Sequence, residues 1–191
     1  MEPRNWQQKA AGPREAEADD ETEAGRASNS QDGEVRTLSR LAIAGLVTAV
    51  VDGLFSSVLS VAFYHSTVTR LFQGVASVLV GPAALDGGTR TAALGVLMHV
   101  GVAFGWSAVF LLLVTRSAWI RGVLASPQGT IKIASLYGPF VWMVMSLAII
   151  PLLAHRPPTI NIRWWVQFVG HAPFVGLPIV ASIAPGSFRR N

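Results

Sequence analysis

The sequence predicts an all-α membrane protein with four transmembrane helices, one short amphipathic or re-entrant helix and a disordered N-terminal tail. Three stretches of the 191-residue chain contain no Asp, Glu, Lys or Arg, and a fourth contains only Asp52. Each stretch reaches the ~20 apolar residues that a crossing helix needs. The mean hydropathy of the chain is +0.43. The four stretches are residues 41–64, 91–115, 133–154 and 164–188.

The first 38 residues form a tail of different composition. They contain every acidic residue except Asp52 and Asp86, together with many Gln, Ala, Gly and Ser. Such a segment buries too little apolar surface to fold alone, so residues 1–38 are predicted to be disordered, with a transient helix over residues 14–21. The tail lacks the apolar core of a signal peptide.

The first crossing is predicted over residues 39–64, with Asp52 near its centre. A carboxylate at that depth costs roughly 2.5–3.5 kcal/mol on insertion scales, so we expect the fold to supply a partner for it. Small and polar residues recur every three or four positions and are predicted to face the bundle interior. They are Gly45, Thr48, Asp52, Ser56 and Ser60.

Residues 66–81 form the short helix, about 24 Å long against a hydrocarbon core of roughly 30 Å. Its polar residues share one face and its apolar residues cover the rest, which is typical of an interfacial or re-entrant helix. A fifth crossing is the alternative. The pair Gly81-Pro82 is predicted to end this helix.

The remaining crossings are predicted over residues 91–115, 131–153 and 164–184, followed by a basic C-terminal end at residues 187–191. The second contains His99 and the pair Gly101 and Gly105, whose GxxxG spacing allows close helix approach and permits a homo-oligomer. The fourth contains Gln167 and His171. Aromatic residues near the span ends suit an aromatic belt. They are Tyr64, Trp119, Trp164 and Trp165.

Basic residues near the span ends predict that both termini are cytoplasmic. With four crossings, the side that holds the termini has more Lys and Arg than the other side. The first side has Arg36, Arg40, Arg116, Arg121, Lys132, Arg189 and Arg190, and the second has Arg70, Arg90, Arg156 and Arg163.

Asp52, His99 and His171 are predicted at similar depth, where a four-helix bundle would bring them together as a polar cluster. Thr48, Ser56 and Gln167 are its supporting polar residues. One interpretation is that Asp52 hydrogen-bonds a neighbour and fixes helix register. A second is proton-coupled transport, because a buried Asp–His pair exchanges protons as one unit. Haem b held by His99 and His171 is a further alternative, as is zinc held by all three residues.

Several function classes lack support in the sequence. The chain has no cysteine, which removes disulfides and thiolate chemistry. Motifs of nucleotide-binding, hydrolase and metalloprotease sites do not occur, so no catalytic residue is predicted and the protein is expected not to be an enzyme. Its basic residues are scattered at span ends without interleaved aromatics, which predicts no nucleic-acid binding.

Recurrent small residues and turns give the chain a family resemblance over roughly residues 40–185. The pieces are Gly45 with Asp52, residues 73–81, Gly87-Gly88, Gly95 to His99, Tyr137-Gly138 with Met145 and Pro151, and Pro157-Pro158 through Trp164, Gly170-His171 and Gly176-Leu177-Pro178. These pieces resemble the YagU-like family of small uncharacterised bacterial inner-membrane proteins. The resemblance implies a multi-pass helical protein without an assigned reaction.

Together these observations predict a non-enzymatic membrane protein with a structural, accessory or envelope-homeostasis role. Its expected partners are the lipid bilayer and a second protein or a second copy of the chain. The alternative is a small proton-linked transporter or channel that uses Asp52, His99 and His171.

Overall fold

The structure, a computed structural model, describes residues 13–184, and they are built from helices. Three π-helical segments extend or join these helices: Leu59–Phe63 follows α1, Met145–Ile149 joins α5 to α6, and Ala172–Gly176 joins α7 to α8. A 3-10 turn covers Pro82–Asp86. The helices are α1 (Pro13–Val58), α2 (Val68–Val80), α3 (Gly88–Arg116), α4 (Ala118–Leu124), α5 (Gly129–Val144), α6 (Ile150–Ala154), α7 (Ile162–His171) and α8 (Leu177–Ile183).

Four helical stretches are long and apolar enough to cross a membrane, which confirms the predicted fold class. The predicted boundaries at residues 64, 91, 115, 131, 153, 164 and 184 agree within a few residues. The first span starts earlier than residue 39 because the helix continues into the polar segment before it. The spans are Gln31–Phe63, Gly88–Arg116, Gly129–Ala154 and Ile162–Ile183.

The chain divides into two units, Met1–Ser39 and Arg40–Asn191. In the first unit the backbone is helical from Pro13 onward. Residues 1–12 and the basic end at residues 187–191 lie outside the described part of the chain. A disordered tail over residues 1–38 and a separate basic end therefore stay predictions.

The first two spans are antiparallel. Gly45 of α1 lies against the ring of Phe104, since a Cβ there would sit 2.7 Å from it, and Gly53 lies against His99. Moving forward along α1 therefore means moving backward along α3. The first span ends on the side of the membrane where the second begins. The chain therefore enters and leaves α2 on the same side, and α2 is not a fifth crossing.

Helix α2 turns its polar face toward the protein. Gln73 and Ser77 are buried, whereas Leu79 and Val80 are exposed. The Nε2 of Gln73 donates to the carbonyl of Gly88, at 3.1 Å. A helix with its apolar face outward suits lipid, and both the interfacial and the re-entrant interpretations of α2 place this face in lipid.

The turn after α2 lies at the membrane boundary. Gly81 has φ +82°, a left-handed conformation that glycine adopts without a Cβ clash. Arg70 donates from Nη1 to the carbonyl of Leu85 at 2.8 Å and lies 4.0 Å from the carboxylate of Asp86. Both charged side chains are exposed, which places this loop in contact with water or lipid headgroups.

The third and fourth spans pack backbone to backbone. A Cβ at Gly138 would meet the carbonyl oxygen of His171, and one at Gly176 would meet that of Ala134. These pairs run in opposite chain directions, so the spans are antiparallel. The hydroxyl of Tyr137 donates to the carbonyl of Trp106 at 2.7 Å and ties the third span to α3.

The main apolar core occupies one end of the spans, near the end of α3 and the start of α5. Phe110, Ile179, Val180 and Ile183 are almost completely inaccessible. Tyr137 borders this core from the polar side. Its other buried members are Ala44, Val114, Leu124, Ile133, Ala134, Val141, Val175 and Ala184.

The lipid-facing surfaces follow the helical period. On α1, Leu46, Val50 and Leu54 are exposed, opposite the small and polar face. On α3, Gly101 and Gly105 are exposed, and a Cβ at either would have no atom within 4 Å. The GxxxG pair therefore takes no part in packing within the described bundle.

Candidate functional site

The predicted polar face of α1 points into the bundle. Thr48 is 2% exposed and Ser60 is 5% exposed. The Asp52 side chain is 15% exposed, and Ser56 is half-buried. This arrangement follows from the three- and four-residue spacing of these side chains, because that spacing keeps them on one side of a helix.

Asp52 meets His99 across the interface of α1 and α3. The Oδ2 of Asp52 lies 3.9 Å from the Nδ1 of His99, an ion-pair distance and too long for a hydrogen bond. The other ring nitrogen, Nε2, lies 3.0 Å from the carbonyl oxygen of Ala49. Gly53 leaves room for the ring, since a Cβ there would sit 3.4 Å from Nε2.

The contact with Ala49 constrains the proton count of the Asp52–His99 pair. A carbonyl oxygen only accepts, so Nε2 of His99 carries a proton when this bond forms. Nδ1 then faces Asp52. If Nδ1 carries no proton, its lone pair faces the lone pairs of the Asp52 carboxylate, and the two groups repel each other. The pair is therefore attractive only when it holds one further proton, as a carboxylic acid with an imidazole or as a carboxylate with an imidazolium.

His171 lies in the fourth span. Its Nδ1 donates to the carbonyl of Gln167 at 2.8 Å, and its ring lies 4.8 Å from that of Trp142. Among the described residues, no hydrogen bond or ion pair joins His171 to Asp52 or His99. The structure thus shows the contact of Asp52 with His99, and the inclusion of His171 in the cluster stays a prediction.

An aromatic contact holds the first span against the fourth beside this cluster. Phe55, one turn after Asp52, stacks on Phe174 with ring centroids 4.2 Å apart. The Phe55 ring also covers Gly170, where a side chain would collide with it. The absence of a side chain at Gly170 thus lets α1 approach next to His171.

A second set of polar contacts was not anticipated from the sequence. The indole Nε1 of Trp164 donates to the hydroxyl of Ser146 at 2.9 Å, and that hydroxyl donates to the carbonyl of Trp142 at 2.6 Å. Trp164 is buried, whereas Trp119 and Trp165 are exposed, and the aromatic belt stays a prediction. Position near a span end does not reveal which face of the helix a ring occupies.

Several buried polar atoms around the cluster have no hydrogen-bond partner within the described part of the chain. Of the predicted supporting residues, Thr48 and Gln167 each contribute one such atom. Buried polar atoms are rarely left unpaired, so they favour a hydrated interior or a polar guest. The atoms are Thr48 Oγ1, Asp52 Oδ1, Tyr64 OH, Trp142 Nε1 and Gln167 Oε1.

The geometry does not favour the metal and haem alternatives. Among residues 31–184, no group of three His, Asp or Glu side chains is arranged to hold a metal ion. For haem, each histidine has one ring nitrogen bonded to a backbone carbonyl, at Ala49 and Gln167. His99 would present Nδ1 to an iron, but that nitrogen faces Asp52.

The polar cluster and the apolar core lie at different depths. Tyr64 ends the first span on the α2 side, and its ring lies 4.2 Å from the guanidinium of Arg163. Asp52 and Thr48 lie further into the first span than Tyr64. Beyond them the close-packed core around Phe110 and Ile179 fills the other half of the bundle. The contact of Asp52 with His99 thus lies nearer the α2 side of the spans than the apolar core does.

No family model, curated protein or solved structure matches this chain. The structure shows a helical protein with four candidate membrane spans and a polar contact between Asp52 and His99 of the first two spans.

Proposed function

We propose that this chain is a non-enzymatic protein of the bacterial inner membrane with a structural or accessory role in envelope homeostasis. The observation that carries this proposal is the contact of His99 with both Asp52 and the Ala49 carbonyl. This contact joins α1 to α3 through a side chain and the backbone at once. Polar contacts of this kind hold membrane helices in register.

A proton-linked transporter is the second candidate, and the unpaired polar atoms favour it. Asp52 Oδ1 and Gln167 Oε1 point into the interior without a partner in the described residues. Together with an Asp–His pair that is attractive only with a shared proton, they form a place where a proton could be held and released.

The close-packed core argues against an open channel in this conformation. Phe110 and Ile179 are about as inaccessible as side chains become, and they lie between the cluster and the membrane face opposite α2. A conducting path would need water through this region. A transporter would therefore have to alternate between conformations, whereas a structural role needs only the arrangement described.

Proton flux into liposomes distinguishes the two candidates. For a structural role we expect Asp52→Asn to keep the fold, since Asn retains a hydrogen-bonding group of similar shape, and flux under a pH gradient to equal that of empty liposomes. For a transporter we expect flux in the wild type and its loss in Asp52→Asn, because an amide does not titrate. Flux would be followed with an entrapped pH dye.

Asp86→Asn is the matched control for this experiment. Asp86 is the other carboxylate after Glu34, and its side chain is 90% exposed, so its loss changes charge without touching the interior. Flux that persists in Asp52→Asn would contradict the transporter candidate. Wild-type flux that Asp52→Asn abolishes, with Asp86→Asn active, would contradict the structural one.

Membership of the YagU-like family is proposed on the residues that carry the resemblance. Several of them are glycines at close helix contacts: Gly95 lies against the backbone of Phe72, and Gly138 and Gly176 lie between the third and fourth spans. Proteins that share one helix packing arrangement need small residues at the same close contacts. The inner-membrane location rests on the same resemblance, and the cytoplasmic termini rest on the distribution of Lys and Arg along the sequence.

A homo-oligomer through the GxxxG face of α3 is part of this proposal. Gly101 and Gly105 are open to a second helix, and Leu97 and Leu112 flank them on the same exposed face. We expect Gly105→Leu to weaken self-association by about tenfold, because bulk there keeps the backbones apart. Energy transfer between labelled full-length chains, measured during dilution with lipid, would report it.

Val96→Leu is the control for Gly105→Leu, since it enlarges an exposed residue of α3 away from the glycine face. Equal energy transfer in the wild type and Gly105→Leu at every dilution would show that this face does not mediate self-association.

A further inference from the structure

A groove between α4 and α5 lies at the membrane boundary. It has a volume of about 800 Å³ and is lined by both helices and the turn that joins them. The second span ends at Arg116 and the third begins at Gly129, so this segment marks the level at which the chain leaves and re-enters the membrane. Trp119 is 68% exposed on its rim, as expected for an aromatic ring among lipid headgroups.

The groove has a polar rim and an apolar wall. Lys132, Ser126 and Ser135 supply an ammonium group and two hydroxyls. Ile133 and Leu136 line the wall below them. Because this combination pairs a cation with a hydrocarbon surface, it matches a molecule that has an anionic head and an apolar chain.

The cation on this rim has no countercharge nearby in the described chain. Between Gly87 and Ala184 the sequence contains no Asp or Glu. The neighbouring Arg121 donates to the carbonyls of Val114 and Thr115, at 2.8 and 3.0 Å. Its guanidinium therefore caps the C-terminus of α3. Lys132 makes no hydrogen bond or ion pair through its side chain with residues 31–184. The compensating negative charge must come from outside this part of the molecule.

The start of α5 adds to the positive character of the rim. Lys132 is in the first turn of this helix, whose N-cap residue, Gln128, makes no side-chain capping hydrogen bond. The backbone N–H groups of Gly129 and Lys132 donate to the carbonyls of Ser126 and Gln128, at 3.0 Å each, and the helix dipole places partial positive charge at this end of α5. This reinforces the charge of Lys132 in the same place.

We infer that the α4–α5 groove binds an anionic phospholipid, with the phosphate at Lys132 and an acyl chain along Ile133 and Leu136. The membrane supplies such lipids at this depth, so the ligand meets the groove without leaving the bilayer. Trp119 covers the lipid from the side of α4.

Brominated lipids test this site at Trp119. The full-length chain is reconstituted in phosphatidylcholine vesicles that contain a minor fraction of brominated phosphatidylglycerol, and the fluorescence of Trp119 is taken as the difference between wild type and Trp119→Phe. We expect quenching of this difference signal to exceed that by brominated phosphatidylcholine at the same mole fraction. Lys132→Gln is expected to reduce the preference about fivefold, the effect of losing one cation at an anionic surface.

Two variants separate the site from general charge effects. Lys132→Arg should keep the preference, and Arg90→Gln, which removes a cation at the opposite end of α3, should leave it unchanged. Equal quenching by the two brominated lipids would overturn the inference, as would a preference that survives in Lys132→Gln. Loss of the preference on adding inorganic phosphate to the buffer would show that the rim binds free phosphate instead of a lipid.

Discussion

Replacing Gly138 with leucine is expected to separate the third and fourth spans and to lower the free energy of unfolding by more than about 3 kcal/mol. A Cβ at Gly138 would collide with the carbonyl oxygen of His171 and the Cα of Ala172. Both obstacles are backbone atoms, so no side chain can rotate away and the helices must move apart. The change would be measured by denaturing the intact chain in detergent micelles and following its tryptophan fluorescence.

Gly74→Leu is the matched control for Gly138→Leu. It makes the same substitution within a helix, but a Cβ at Gly74 would have no atom within 4 Å, and Gly74 lies outside the GxxxG face of α3. We expect this variant to unfold like the wild type in micelles. If Gly138→Leu also unfolded like the wild type, the close packing of α5 against the fourth span would be wrong.

Removing His99 alone is expected to destabilise the protein more than removing His99 and Asp52 together. His99→Leu leaves the carboxyl of Asp52 buried near the centre of a span, where an unpaired acid costs roughly 2.5–3.5 kcal/mol. The double variant His99→Leu with Asp52→Leu removes that group as well. Replacing a whole buried pair by apolar side chains is often neutral, whereas breaking it is not.

A double-mutant cycle measures this coupling from the unfolding free energies of wild type, the two single variants and the double variant. The expected sign is a double variant that is more stable than His99→Leu. Additive effects of the two substitutions would show that Asp52 and His99 do not interact, and Ser60→Ala, elsewhere on the same polar face of α1, provides a reference for loss of a buried hydroxyl.

The sequence anticipated the spans and the interior face of α1 because both depend on local patterns. Long uncharged stretches separated by basic residues mark the crossings. On α1 the spacing of Thr48, Asp52 and Ser60 was enough to identify the inner face, since lipid accepts only apolar side chains on the outer one. Counting depth along helices that alternate in direction predicted Asp52, His99 and His171 at one level, and the structure shows the contact of Asp52 with His99.

Other features depend on tertiary packing that no local pattern encodes. The small residues that bring helices together are Gly95, Gly138 and Gly176, whereas the better-known GxxxG spacing of Gly101 and Gly105 faces outward. The amphipathic pattern of α2 was visible, but it did not reveal that Gln73 faces the protein. The bond from Trp164 to Ser146 joins residues of two different spans, so neither segment predicted it alone.

The wide π-helical turns have a geometric consequence. They occur in the first, third and fourth spans, and the one at Ala172–Gly176 begins directly after His171. Such a turn contains one more residue than an α-helical turn, so the helix beyond it is rotated by about 100° relative to an uninterrupted α-helix. In the fourth span the π-helical turn therefore determines which side chains after His171 share its face of the helix.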